Sequence, residues 1–266
     1  MGNPAGSFIW YELMTGDPDG AAAFYGPVAG WTLADAPGGL SGGVDYRMIV
    51  RSDGGNAGGV LKLSDEMQQG GARPCWMGYL SVEDVDAKVA AIESEGGKAL
   101  MPPMDLPVGR IAMVTDPQGV PFYVMKPVPP ADDPDTQSDV FSPMEAQHFR
   151  WNELSTTDPD AALDFYARHF GWTQEGQMQM GDLGSYRFIQ KDGVGIGAVM
   201  PKMAEMPISC WSYYIGVDDI DRAVGAIEAG GGKVINGPME IPGGEFALDG
   251  IDPEGAAFGL VGPGNR

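Results

Sequence analysis

Apolar residues recur along this chain with two alternating periods. Residues 8–14, FIWYELM, form a short strand-like run. After Asp17-Pro18, which supplies a helix N-cap with proline in the first turn, Ala21, Phe24, Tyr25 and Val28 fall at i, i+3, i+4 and i+7. That spacing predicts a helix with one apolar stripe, ended by Gly30, followed by short strands near 31–34, 46–50 and 57–63 between Gly-rich turns. A second unit then begins with CWMGYLSV. Asp84 caps a helix whose Val85, Val89 and Ile92 share one face, Gly96-Gly97 stops it, and strands are predicted near 98–101, 110–115 and 120–126, with DPQG as the last turn.

The whole pattern recurs. WYELMTGDPDGAAAFYGPVAGW, starting at Trp10, returns as WNELSTTDPDAALDFYARHFGW, starting at Trp151. CWMGYLSVEDVDAKVAAIESEGGKA, starting at Cys75, returns as CWSYYIGVDDIDRAVGAIEAGGGKV, starting at Cys210, and DPQG returns as DPEG. Between the copies, PVPPADDPDTQSDVFSPMEAQ has no apolar period and reads as a surface linker. The expected organisation is α+β, with four βαβββ units in all: two in a first domain over 1–126, a linker over 127–147, and two in a second domain over 148–266.

Charge narrows the partners. Acidic residues outnumber basic ones 37 to 16, a formal charge of −21, which argues against a nucleic-acid backbone or an anionic membrane as partner. No stretch reaches the roughly 20 apolar residues of a membrane span, and MGNPAGSF lacks the basic region and apolar core of a signal peptide, so a cytoplasmic location is expected. Cys75 and Cys210 stand at matching places before a Trp and read as reduced thiols beside strands. The Gly-rich stretches lack a phosphate-loop pattern and read as turns, and the 16 Met residues read as core and pocket filling.

Paired βαβββ units carrying D-P-x-x-A…FY…GW, V-x-D-[VI]-D, GGK and a closing D-P-x-G resemble the vicinal oxygen chelate superfamily, the glyoxalase, bleomycin-resistance and extradiol-dioxygenase group. The resemblance implies that each half curls its strands into a cup holding a small organic molecule. It also implies divalent-metal ligands at set strand positions, which here are Trp10, Met77 and Tyr123 in the first half and Trp151, Ser212 and Gly259 in the second. None of these is a family ligand, so the expectation is that no metal cofactor is used, unless a divalent ion sits on relocated ligands. Neither histidine repairs the set: His148 is expected to be a solvent-facing linker residue, and His169 a cation suited to the end of its helix.

If Trp10 and Trp151 take the family's ligand-facing direction, strand alternation turns Glu12 and Glu153 the same way, with Tyr79, Tyr123, Ser212 and Tyr214 as further lining. Glu12 and Glu153 are therefore the candidate catalytic acids; Trp10, Tyr79, Tyr123, Trp151, Ser212 and Tyr214 are candidate ligand contacts. Arg47 and Arg187 are plausible ion-pair partners for the two glutamates. The resemblance and this lining favour binding of a small organic molecule, with an enzyme of the same superfamily (lyase, isomerase or dioxygenase-like), using Glu and Tyr acid–base groups or a relocated metal, as the alternative. The duplicated chain is expected to be a monomer or weak dimer. Ser212 and Gly259 are smaller than Met77 and Tyr123, which predicts the more open cup in the second half.

Overall fold

The computed structural model describes residues 2–37 and 44–264. The first half runs β1 (Phe8–Thr15), α1 (Pro18–Ala29), β2 (Thr32–Asp35), β3 (Tyr46–Val50), β4 (Asn56–Lys62), α2 (Asp65–Gln69), β5 (Cys75–Ser81), α3 (Val85–Ser94), β6 (Lys98–Leu106), β7 (Gly109–Thr115) and β8 (Pro121–Pro127). The second runs β9 (Phe149–Thr156), α4 (Pro159–Phe170), β10 (Thr173–Gln179), a 3-10 turn (Gly181–Leu183), β11 (Ser185–Lys191), β12 (Val194–Pro201), β13 (Cys210–Gly216), α5 (Ile220–Ala229), β14 (Lys233–Glu240), β15 (Phe246–Ile251) and β16 (Ala257–Gly262). These are four βαβββ modules, and they form two eight-stranded mixed sheets of matching order, β2-β3-β4-β1-β5-β8-β7-β6 and β10-β11-β12-β9-β13-β16-β15-β14. Within modules, β1 runs parallel to β4, β5 to β8, β9 to β12 and β13 to β16.

The helix ends follow from the residues the sequence puts there. Asp17 accepts from Gly20 N, Asp158 from Ala161 N, Asp84 from Ala87 N and Asp219 from Arg222 N, each at 3.0 Å. Gly30 and Gly171 close α1 and α4 in the left-handed region, at φ 77° and 68°, which glycine adopts without the Cβ clash of other residues. Three features depart from expectation. Ser64 caps an unforeseen short helix, α2. Strand β6 continues through Pro102 and Pro103 to Leu106, which its edge position permits. The linker is not simply laid on the surface: Val140 is buried and Phe141 bridges to Phe149.

By contacts the chain divides into two compact units, and each combines modules from both halves. One comprises residues 1–9, 78–138 and 151–212; the other comprises 10–77, 139–150 and 213–266. In the second of these α1 packs on α5. There Trp76 Nε1 donates to Tyr25 Oη (3.0 Å), and Tyr25 Oη–H donates to Asp252 Oδ2 (3.2 Å). In the other unit, Trp211 Nε1 donates to Tyr166 Oη (3.1 Å) and Tyr166 to Asp116 Oδ2 (3.2 Å). Much of the repeated motif, CW, FY and D-P-x-G, thus builds buried hydrogen-bond chains that tie a helix of one half to the closing turn of the other. Burial raises the Asp116 carboxyl to about 6 and raises Asp252 as well.

Candidate functional site

On β11, alternate side chains separate two faces. Arg187 is ion-paired with Asp160 on α4 and so faces the helix. Tyr186 and Phe188 point the other way. There Trp151 Nε1 donates to Tyr186 Oη at 2.7 Å, and Tyr186 Oη–H donates to Glu153 Oε2 at 2.8 Å. Phe188 lies edge-on to Trp151, ring centres 6.2 Å apart. The Cys210 thiol is pushed up first by burial and then by the Glu153 charge, against a hydrogen bond from Ser212 that lowers it. One face of the sheet therefore brings together an indole and a carboxylate from β9, a phenol from β11 and a thiol from β13.

The first half builds the same arrangement in its own unit. Arg47 pairs with Asp19 of α1 and with Asp45, so Tyr46 takes the opposite face, where its Oη accepts from Trp10 Nε1 at 2.8 Å. Glu12 is two residues along β1 from Trp10, and burial, then the Glu12 charge, lifts the Cys75 thiol to about 11. Gly59 stands across the β1–β4 ladder from Glu12, and a Cβ there would lie 2.1 Å from Tyr46 Oη, so the phenol occupies the space of a missing side chain. The corresponding partner of Glu153 is Ala198, whose methyl denies Tyr186 that seat. Glu12 is only 3% exposed, whereas Glu153 is partly accessible.

Several expectations need correction. Arg47 and Arg187 are paired with aspartates on the helix side and do not meet Glu12 or Glu153; the tyrosine beside each arginine takes the opposite face, where Tyr186 donates to Glu153 and Tyr46 accepts from Trp10. The signal was present, since Tyr-Arg recurs in both halves and alternation must put the two side chains on opposite faces. His148 is 5% exposed, with Nδ1 2.9 Å from Ala146 O and Nε2 3.8 Å from Glu145, so it is not solvent-facing. His169 does end α4, but burial lowers its pKa and opposes the cation expected there.

The remaining candidates fall into separate clusters. Tyr79 and Tyr123, opposite each other on β5 and β8, stack with centres 4.2 Å apart at 16°. Tyr214 and Gly259 hold the same register on β13 and β16, but a Cβ at Gly259 would lie 2.3 Å from the Tyr214 ring. The expected open volume at Gly259 is therefore filled by Tyr214, whose hydroxyl donates to Asp249 Oδ1 at 2.6 Å. Two crevices, of about 570 and 450 Å³, lie elsewhere: one beside the end of α1 with Arg51, His148 and Arg222, the other between α4 and β10–β11.

A divalent metal fits these positions poorly. Trp10 and Trp151 present an indole N–H already given to a phenol, a donor where a metal needs a lone pair. Among the described residues no three His, Cys, Asp or Glu side chains converge as a metal site requires.

Comparison with known proteins agrees with this architecture. A profile described as "Glyoxalase/Bleomycin resistance protein/Dioxygenase superfamily" matches residues 7–124 and again 146–259. The chain is 33% identical over 257 residues to "Putative glyoxylase CFP32" of Mycobacterium bovis, covering 96% of this chain and 94% of the relative. It is 28% identical over 278 residues to anthracycline biosynthesis protein DnrV of Streptomyces peucetius, covering 96% and 93%. Among solved structures, the Mn(II)-bound glyoxalase from Novosphingobium aromaticivorans superposes with a TM-score of 0.63 at 15% identity, over 97% of this chain and 82% of that one.

Proposed function

The chain belongs to the glyoxalase/bleomycin resistance protein/dioxygenase superfamily, and from that premise we propose that it binds a small organic molecule on the strand face carrying Trp151, Tyr186 and Glu153, without a metal ion. The observation that carries this is the hydrogen-bonded chain from Trp151 through Tyr186 to a partly accessible Glu153. A carboxylate held by a phenol and bordered by Trp151 and Phe188 suits a ligand with an apolar ring and a few polar groups. Glu12, enclosed by its neighbours, serves structure more than ligand. Full-length similarity to DnrV makes polycyclic phenols of the anthracycline type reasonable first ligands.

The protein is taken to work in the cytoplasm as a monomer or weak dimer, since four modules in one chain already complete both sheets. No described helix is long and apolar enough to cross a membrane. A second reading, proton transfer by Glu153, draws on the 2.8 Å contact between its carboxylate and the Tyr186 hydroxyl.

Titration with an anthracycline, followed by tryptophan emission, tests the binding reading. Glu153→Gln is expected to weaken binding about tenfold or more with little change in melting temperature, and Glu12→Gln to leave binding within about twofold; a tenfold change is about 1.4 kcal/mol. Undiminished binding by Glu153→Gln, or stoichiometric Fe, Zn, Mn or Ni in the purified protein, would overturn it.

A further inference from the structure

The larger of the two crevices, about 570 Å³ beside the end of α1, lies wholly within the unit made of residues 10–77, 139–150 and 213–266. Its lining holds one buried side chain with an unspent atom. His148 is 5% exposed, and its Nδ1 stands 2.9 Å from Ala146 O, which can only accept, so Nδ1 carries a proton. In the neutral ring the lone pair is then on Nε2. Among the described residues no group hydrogen-bonds Nε2; the Glu145 carboxylate is 3.8 Å away on a side chain 70% exposed, which turns this edge of the ring toward the mouth of the crevice.

The repeat separates this crevice from the shared frame. Trp31 Nε1 donates to Gln147 O and Trp172 Nε1 to Gly6 O, so Gln147 answers to Gly6 and His148 to Ser7. Gly6 sits at φ 85°, where glycine is unstrained, whereas Gln147 holds φ 64° against the cost of its Cβ. Its side chain is what the strain positions: Oε1 accepts from Ser52 N at 2.7 Å and Nε2 donates to Gly30 O at 3.0 Å, which ties the segment before His148 to the wall of the crevice. Arg222, also in the lining, stands where the first half has Ala87. The imidazole and this guanidinium thus belong to one copy only.

Charge decides what the crevice suits. Each of the five N–H groups of Arg51 has an acceptor among Asp53, Asp139 and Asn56 O, and Arg222 is given to Asp218, Pro27 O and Val28 O. The guanidiniums are therefore spent. Glu145 has no such partner, and the carbonyl end of α1, the negative pole of that helix, closes one side. No Phe, Tyr or Trp is in the lining, so the stacked rings that hold a quaternary ammonium are missing. We infer that this crevice is a second ligand site, for a small organic molecule carrying a primary ammonium group, which donates N–H to His148 Nε2 and places its charge beside Glu145 and the end of α1. The site is independent of the face carrying Trp151, and neither reading needs the other.

The full chain has two histidines, so two imidazole Cε1–H signals in its NMR spectrum report on the two rings, that of His148 being the one lost in His148→Leu. Cyclohexylammonium, cyclohexyltrimethylammonium and cyclohexanecarboxylate are titrated in turn at pH 8, where an alkylammonium keeps its charge as lysine does with a pKa of about 10.4. Cyclohexylammonium is expected to move the His148 signal saturably, to leave that of His169 in place, and to bind at least tenfold more tightly than either analogue. His148→Leu should abolish saturable binding. Should that buried replacement fail to fold, Glu145→Gln still decides, because the Glu145 side chain is exposed and makes no hydrogen bond: it should weaken binding by about fivefold, as loss of one partly exposed charge contact does. A His148 signal that the amine leaves unmoved, equally tight binding of the carboxylate or the trimethyl compound at His148, or unchanged affinity in Glu145→Gln would overturn the inference. So would a signal moved by zinc chloride and not by the amine, which would make the ring a metal ligand instead.

Discussion

Asp116 is 1% exposed, and its carboxylate accepts from the backbone N–H groups of Gln118 and Val120 as well as from Tyr166. Burial outweighs those donors and lifts its pKa from 3.8 to about 6. The folded carboxyl therefore holds its proton more tightly than the unfolded one, so the protein loses stability as pH rises from about 4 through 6. Asp116→Asn removes this titration. Measured by denaturant unfolding, the stability of Asp116→Asn relative to the wild type should rise by on the order of 2 kcal/mol between pH 4 and pH 7; a constant difference would mean that the buried carboxyl does not titrate there. Side chains such as this were legible in the repeated motifs, but their roles were not. D-P-x-G reads as a turn, and nothing local says that its Asp accepts from a tyrosine far away in the chain. Tyr46 and Tyr186 were hidden for a related reason: attention falls on a charged neighbour, whereas alternation gives the inward face to the phenol.

At the level of elements, periodicity and caps were sufficient to locate four modules, because stripe, cap and glycine stop agree at each helix. What escaped was any element lacking a period of its own, such as α2, which rests on its cap Ser64 and has no buried residue. The start of α1 also shows a cap that local sequence cannot reveal. Glu254, from the DPEG turn, accepts from Gly16 N (2.7 Å), Asp17 N (3.1 Å) and the Thr15 hydroxyl, placing a carboxylate at the positive end of the helix. Glu254→Ala should lower stability by about 1 kcal/mol, and Asp17→Ala by a similar amount at its own cap. Thermal unfolding of both single variants and the double variant would show coupling if they support one helix end; strict additivity would argue for independence.

For the whole molecule, the pairing of modules mattered most and was least visible. The repeat marks two halves, and the sheets follow them, yet the compact units exchange modules between halves. Repetition in sequence reports which modules are alike; it does not report which of them share a core. The distances along the chain have a consequence for synthesis. Tyr25 is buried among Phe24, Trp31 and Trp76 with its hydroxyl on Asp252, a separation of 227 residues. At the roughly 5–20 residues per second of translation, that acceptor emerges on the order of 10–50 s after the helix that needs it. Until then α1 lacks both its Glu254 cap and the carboxylate that accepts from its phenol. Nascent chains stalled before the DPEG turn has cleared the ribosome should be cut by protease within residues 18–29, and chains released at full length should resist. The first module to be made is thus among the last to be completed, leaving Phe24 and Tyr25 for a chaperone to shield in the interval.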